Sequence, residues 1–349
     1  SLVFNETEFD ERVHARRVAE LFDTEHHSIT FTEGDLISKL PYALKAMDQP
    51  TVDGVNTYFV SQAAKEAGLT VVLSGLGGDE LFGGYNRYIH GPGIWQKLSR
   101  FPEPVRRLAG RVAQTLPEQA WDRVGAVYNT VRTGSTGVSG LGSKAHLLSD
   151  RLQLIESLDD LYRNMTSTWP DPDKLIAGGA AEPASHIEDT LSQFSADDSA
   201  MRMMVQDMRS YLPDDILCKV DRAAMGVSLE TRVPFLSQDV VALAARLPMA
   251  MKIRGGQGKW ALRQVLYQYV PCEIIDRPKV GFAIPIGSWL RGPLRDWAEE
   301  LLSHSRLVED GLFTPDIIRQ TWSEHLSGRR DWSARLWTIL MFQAWITAQ

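Results

Sequence analysis

The sequence predicts an α/β protein, with a parallel, doubly wound sheet leading into a mostly helical portion. Three observations carry this. Short apolar strands alternate with amphipathic helices over residues 1–90. A glycine-rich loop, Ser74–Tyr85, directly follows the last of those strands. Beyond it the strand signals fade and helical periodicity continues to the end of the chain.

In order, Ser1–Phe4 reads as a strand already under way, and Asn5–Phe9 as a polar turn. Asp10 caps a helix running to about Phe22, with Val13, Val18, Ala19, Leu21 and Phe22 as its apolar positions. His27–Phe31 alternates as a strand. Asp35–Met47 and Tyr58–Ala67 are helical, Gly68 stands where a C-cap glycine is expected, and Leu69–Leu73 is a short apolar strand. Trp95–Leu116 and Glu118–Val131 read as helices, followed by a Gly/Ser/Thr-rich connector at Thr133–Ser143. Further helices are expected over 145–169, 187–212, 213–227, 238–247 and 259–269, and no internal repeat is visible. The division this suggests is an α/β nucleotide-binding core at 1–90, a variable helical insertion at 91–200, and a helical remainder at 201–349.

Composition sets the outer bounds. The chain has 349 residues, 44% apolar and 23% charged, which is the balance of a globular protein with a buried core. A net charge of −7 argues against a nucleic-acid surface, and no apolar run is long enough to span a bilayer. The two cysteines, Cys218 and Cys272, have no partners at metal-site spacing; they suit a reduced, cytoplasmic protein without a disulfide framework. Starting on an apolar strand without an initiator Met predicts a piece of a longer protein.

Four segments are candidates for chemistry. In Ser74-Gly75-Leu76-Gly77-Gly78-Asp79-Glu80-Leu81-Phe82-Gly83-Gly84-Tyr85 the loop leaves the carboxyl end of a strand, where ligands bind in open α/β sheets. Its glycines allow a ligand close to the backbone. Asp79 beside phosphates would repel them unless a cation lay between, which points to Mg²⁺. The same residues also fit a plain glycine turn with acids at a helix start. In Gly255-Gly256-Gln257-Gly258-Lys259 a Lys opens a helix, where it suits an anion or stands solvated on a loop. Lys279, within Arg277–Ile286, sits beside an apolar run and is either a point charge for a developing anion or a snorkelling surface Lys. Across Leu212–Leu236, Ile216, Leu217, Val220 and Val227 form a core stripe, and Asp221–Arg222 and Glu230–Arg232 are read as buried structural ion pairs. Cys218 lacks a setting for nucleophilic catalysis, and His26-His27 reads as a strand entry.

Taken in order, these segments resemble the synthetase domain of class B, glutamine-hydrolysing asparagine synthetases. The match runs through Phe9-Asp10-Glu11, Asp48-Gln49-Pro50, Ser74–Tyr85, Leu212-Pro213-Asp214-Asp215, Val220-Asp221-Arg222, Ser228–Leu236, Gly258-Lys259 and Arg277-Pro278-Lys279. It is weakest over about 89–201. The resemblance implies an adenine-nucleotide α-hydrolase-like (PP-loop ATP pyrophosphatase) fold. It also implies a reaction in which aspartate is adenylated by ATP and ammonia from glutamine displaces AMP. By position, Ser74, Gly75, Gly77 and Gly78 would contact the nucleotide and Leu2 would lie near adenine. Asp79 would hold Mg²⁺ at the pyrophosphate, Lys259 would bind the pyrophosphate, and Lys279 would stabilise charge at the adenylate. The family's Ser-Gly-Gly-x-Asp-Ser loop and its amino-terminal glutaminase domain would lie upstream of Ser1, so this piece alone is expected to make no asparagine. Homodimers are an expectation of the same kind. Leu76 departs from the pattern: many relatives carry Glu there and β-lactam-forming relatives Tyr, and Leu cannot take a proton. This keeps open a related adenylating ligase with another carboxylate substrate (a β-lactam synthetase, a lasso-peptide cyclase, a surface-glycan amidotransferase) or a non-catalytic remnant.

Overall fold

A computed structural model describes residues 2–3, 12–30, 32–115, 155–169, 171–179, 198–276 and 286–348. Among them four short strands form two parallel pairs. β1 (Leu2–Val3) pairs with β2 (Ile29–Thr30), and β3 (Val71–Leu73) pairs with β4 (Glu230–Arg232) in the register Val71↔Glu230, Leu73↔Arg232. The chain divides into two compact units, Ser1–Gly84 with Thr168–Ser195 and Met204–Gln349, and Tyr85–Ser167 with Ala196–Met203.

The larger unit is built around helix Ser333–Ala348, which is apolar on nearly every side and therefore buried. Trp322 and Trp337 are about 1% exposed and pack with Leu36, Leu290, Leu336 and Leu340. Two polar ring edges find partners: Trp337 Nε1 donates to Val52 O at 2.7 Å and Trp169 Nε1 to Thr338 Oγ1 at 3.0 Å. Helix Glu33–Ala46 starts on a reciprocal cap, in which Thr32 Oγ1 accepts from Asp35 N and Asp35 Oδ2 accepts from Thr32 N. Helix Gly54–Glu66 ends before Gly68, whose φ of +85° turns the chain into β3. That strand is all apolar yet open to solvent, with Leu73 75% exposed.

The smaller unit packs helices Asn86–Leu98, Glu103–Thr115 and Leu158–Thr166. Tyr88, Leu161 and Tyr162 are buried there, and the buried Arg106 donates from Nη1 to Ile155 O at 2.6 Å. Arg202 grips Asp159 through two bonds, at 3.0 and 2.6 Å.

Three expectations need correction. The helix read across Trp95–Leu116 is two helices, broken over 99–102, where Pro102 cannot continue the first. The core stripe of the Leu212 region is Leu212, Ile216, Lys219 and Ala223 instead of one including Leu217 and Val220. The period is that of an ordinary helix, and the inward face lies one residue earlier than expected, so that Lys219 is buried and Val220 is not. The ion pairs Asp221–Arg222 and Glu230–Arg232 exist, but all four side chains are more than two-fifths exposed. The expected helix over 118–131, the connector over 133–143, and the first parts of the helices expected over 145–169 and 187–212 lie outside the described residues.

Candidate functional site

The Ser74–Tyr85 loop is shaped from one side by its own strand and from the other by Pro234–Leu236. Ser74 N donates to Arg232 O at 2.8 Å, which extends the β3–β4 ladder by one bond before the chain turns away. Gly77 then adopts φ +82° and caps the short helix Gly78–Phe82. A Cβ at Gly77 would drive into Leu236, and one at Gly78 would lie 3.3 Å from the Phe235 ring. Phe82 meets the same ring edge-on at a centroid distance of 6.1 Å. The segment Val233-Pro234-Phe235-Leu236 is thus the mould of the glycine loop, a role the sequence alone does not assign to it.

The loop Gly255–Lys259 comes to the same place. Lys259 N donates to Phe82 O at 3.0 Å, and Lys259 Nζ lies 3.0 Å from Asp79 Oδ2. These side chains are 33% and 24% exposed, so the pair is reachable from solvent without being fully hydrated. Approach this close needs two missing side chains. A Cβ on Gly84 would collide with Asp79 Oδ1 and Lys259 Cε, and one on Gly258 would collide with Gly83 O. Lys259 itself caps the helix Trp260–Leu266 in the left-handed conformation, φ +57°. Asp79 and Lys259, nominated separately, therefore share one site with Ser74, Gly75, Gly77 and Gly78. For Leu2 the backbone pairing in β1 is described and its side chain is not, and Lys279 lies outside the described residues.

For Mg²⁺, Asp79 offers one carboxylate, and among the described residues no three His, Cys, Asp or Glu side chains gather into a cation cage. That donor set fits an ion held largely by phosphate oxygens, since Mg²⁺ commonly binds through one or two carboxylates plus substrate phosphates.

A second polar cluster went unforeseen. Lys219, 7% exposed, is ion-paired with Asp53 and stands 3.7 Å from Asp215. Burial raises the Asp215 carboxyl, with Lys219 acting in the opposite direction. Nearby, Arg222 Nε bonds Asp48 Oδ2 at 2.5 Å and Gln49 Nε2 donates to Asp214 O at 3.0 Å, so Asp48-Gln49-Pro50 is clasped to the Leu212–Arg222 segment. The signal was available: a Lys one helical turn after an Asp, inside an apolar stripe. Burial also raises the Cys218 thiol, which disfavours a thiolate there.

The loop, its strand and the acid–lysine pair describe an α/β domain that brings an acid and a lysine together at a strand's carboxyl end. The asparagine synthase family model matches residues 1–347, and the chain belongs to that family. A putative glutamine-hydrolyzing asparagine synthetase of Mycobacterium tuberculosis (strain ATCC 25618 / H37Rv) is 33% identical over 94% of this chain and 47% of its own length. Glutamine-hydrolyzing asparagine synthetase 1 of Bacillus subtilis (strain 168) is 28% identical over 99% of this chain and 51% of its own length. A Penicillium rubens protein named amidase chyE is 23% identical over 86% of this chain and 45% of its own length. The chain spans about half the length of the curated relatives it matches. No described helix is long and apolar enough to cross a membrane.

Proposed function

We propose that this chain is the ATP-using, amide-forming part of a glutamine-dependent asparagine synthetase. In this reading a carboxylate oxygen of aspartate bonds to the α-phosphorus of ATP as the bond to the bridging oxygen breaks and pyrophosphate leaves. Ammonia, released from glutamine by a separate glutaminase domain, then attacks the acyl carbon and AMP departs. The observation that carries the reading is the convergence of Asp79 and Lys259, 3.0 Å apart, on the glycine loop after β3. Lys259 neutralises charge on the departing pyrophosphate, a term effective in a partly dehydrated site. Gly75, Gly77 and Gly78 let the phosphates approach the backbone, Ser74 offers a hydroxyl, and Leu2 lies by the adenine. Asp79 would hold Mg²⁺, which supplies charge neutralisation on phosphate oxygens. Lys279 stabilises the adenylate. The PP-loop type of sheet, a cytoplasmic location and a homodimer belong to the same proposal.

The test is product analysis with the whole protein, ATP, Mg²⁺, aspartate and glutamine. Asparagine, AMP and pyrophosphate should form together, and Lys259→Ala and Asp79→Asn should each lower the rate about 10²-fold or more. Formation of ADP and phosphate would refute the adenylation chemistry.

One observation favours a second reading with the same adenylation step and a different carboxylate substrate. Leu76, half-buried in the loop, carries no proton-accepting group at a position where the resemblance leads one to expect an acid or a phenol. Pyrophosphate release screened across carboxylates separates the two readings: activity with aspartate alone supports the first.

A further inference from the structure

Lys259 is held in a conformation that side-chain-bearing residues adopt only when their surroundings impose it, φ +57° and ψ +32°. On one side the imposing contact is its own N–H bond to Phe82 O. On the other side stands Arg263. Its Nε donates to Gly258 O at 3.1 Å, and its backbone N donates to Lys259 O at 2.9 Å. The same guanidinium donates from Nη1 to Asp276 Oδ1 at 2.6 Å. That one carboxylate oxygen also accepts from Tyr267 Oη at 2.6 Å and from Gln257 Nε2 at 3.3 Å. Gln257 in turn exchanges two 3.0 Å backbone bonds with Arg254, which close the turn before Lys259.

We infer that Arg263 and Asp276 form a brace whose task is to position Lys259, a role that rests on the reading of Lys259 as the pyrophosphate-binding residue. The geometry favours positioning over stabilisation. Arg263 is 26% and Asp276 41% exposed, and ion pairs at that exposure contribute little to folding. A planar guanidinium, however, fixes two acceptors at a set separation and angle, which a Lys cannot do. Here the two acceptors are the carbonyl immediately before Lys259 and a carboxylate that also holds the loop residue Gln257. The brace therefore fixes the backbone from which the Lys259 ammonium must reach Asp79 and the phosphates. Without it, Gly258 regains its conformational freedom and Lys259 can leave the left-handed region.

The experiment is a calorimetric titration of the whole protein with inorganic pyrophosphate in the presence of Mg²⁺, paired with thermal melting. Arg263→Met and Asp276→Ala attack the brace from opposite ends, and each should raise the Kd for pyrophosphate about tenfold or more while the melting temperature stays within a few degrees of wild type. Asp276→Asn keeps the accepting oxygen and should stay within about threefold of wild type, while an unchanged melting temperature beside a raised Kd in Arg263→Met and Asp276→Ala separates positioning from a structural role. The brace is overturned if Lys259→Ala abolishes pyrophosphate binding while Arg263→Met and Asp276→Ala bind like wild type. If Lys259→Ala itself binds pyrophosphate as tightly as wild type, the underlying assignment of Lys259 fails, and the brace with it.

Discussion

Gly84→Ala should separate catalysis from stability in this protein. The φ of Gly84 is not in the left-handed region, so alanine meets no backbone penalty there. The added methyl would nevertheless overlap Asp79 Oδ1 and Lys259 Cε and lie 2.9 Å from Asp79 Cγ. Both obstructing groups are ends of side chains, so the fold can relieve the overlap by swinging them apart. The stability lost is then that of a partly exposed ion pair, about 0–1 kcal/mol. Against this stands a gain of about 0.4–1 kcal/mol from a stiffer unfolded chain. The two nearly cancel, and the melting temperature should move by no more than about 2–4 °C. Catalysis has no such compensation. On the proposed reading, in which both groups face the same pyrophosphate, displacing the acid and the lysine by about 1 Å should lower its rate of release about 10²-fold. Differential scanning calorimetry and a coupled pyrophosphate assay on one preparation measure both. A variant that retains kcat/KM within about twofold of wild type would refute the claim that this pair works at its observed separation.

Gly77→Ala should behave in the opposite way. Its left-handed φ costs a side-chain-bearing residue about 1–2 kcal/mol, and overlap with Leu236 adds about 1–3 kcal/mol, so the urea midpoint should fall clearly. Lys219→Ala leaves Asp53 and the partly buried Asp215 without their cation and should destabilise the fold by about 2–4 kcal/mol in the same assay. His325 is fully buried, accepts from Trp332 N at 3.2 Å through Nδ1, and faces Arg291 and Asp331. Burial first, and then Arg291, hold its folded pKa below the unfolded value of about 6.5. The folded state therefore binds fewer protons than the unfolded one as pH falls through about 6.5. Stability should drop from that point until the folded pKa is passed and then level off. Melting temperatures from pH 8 downward, in wild type and His325→Gln, check this, and the variant should lose that part of the slope.

What the sequence discloses follows how locally each feature is determined. β3 and its loop are legible as a strand and a turn because an apolar run ended by glycines is a local signal. Helices Gln238–Arg246 and Trp260–Leu266 fall close to their expected positions because their periodicity is local. The Leu212 region fails for an equally physical reason. Two helical faces one residue apart fit the same period, and the choice between them is made by Asp53, which holds Lys219 inward from a distant segment. Ion pairs adjacent in sequence were recognisable, but their exposure depends on the elements packed around them and is not a local property.

The glycines mark the boundary between what is and is not legible. Gly77, Gly78 and Gly84 stand out in the sequence, and a close approach can be inferred from them. What approaches cannot be: Leu236 and Phe235 at the first two, and Lys259 at the third, all come from distant segments. The same holds for the chemistry. A lone carboxylate in a glycine loop and a lone lysine at a helix start each have an ordinary structural explanation. Set 3.0 Å apart across a glycine that leaves room for nothing else, they suit the proposed division of a metal and a phosphate between them. Leu76, in the same loop, adds no charge to this arrangement. On the proposed reading, adenylation draws on the charge of Asp79 and Lys259, and any deprotonation of the incoming ammonia falls to a group other than residue 76.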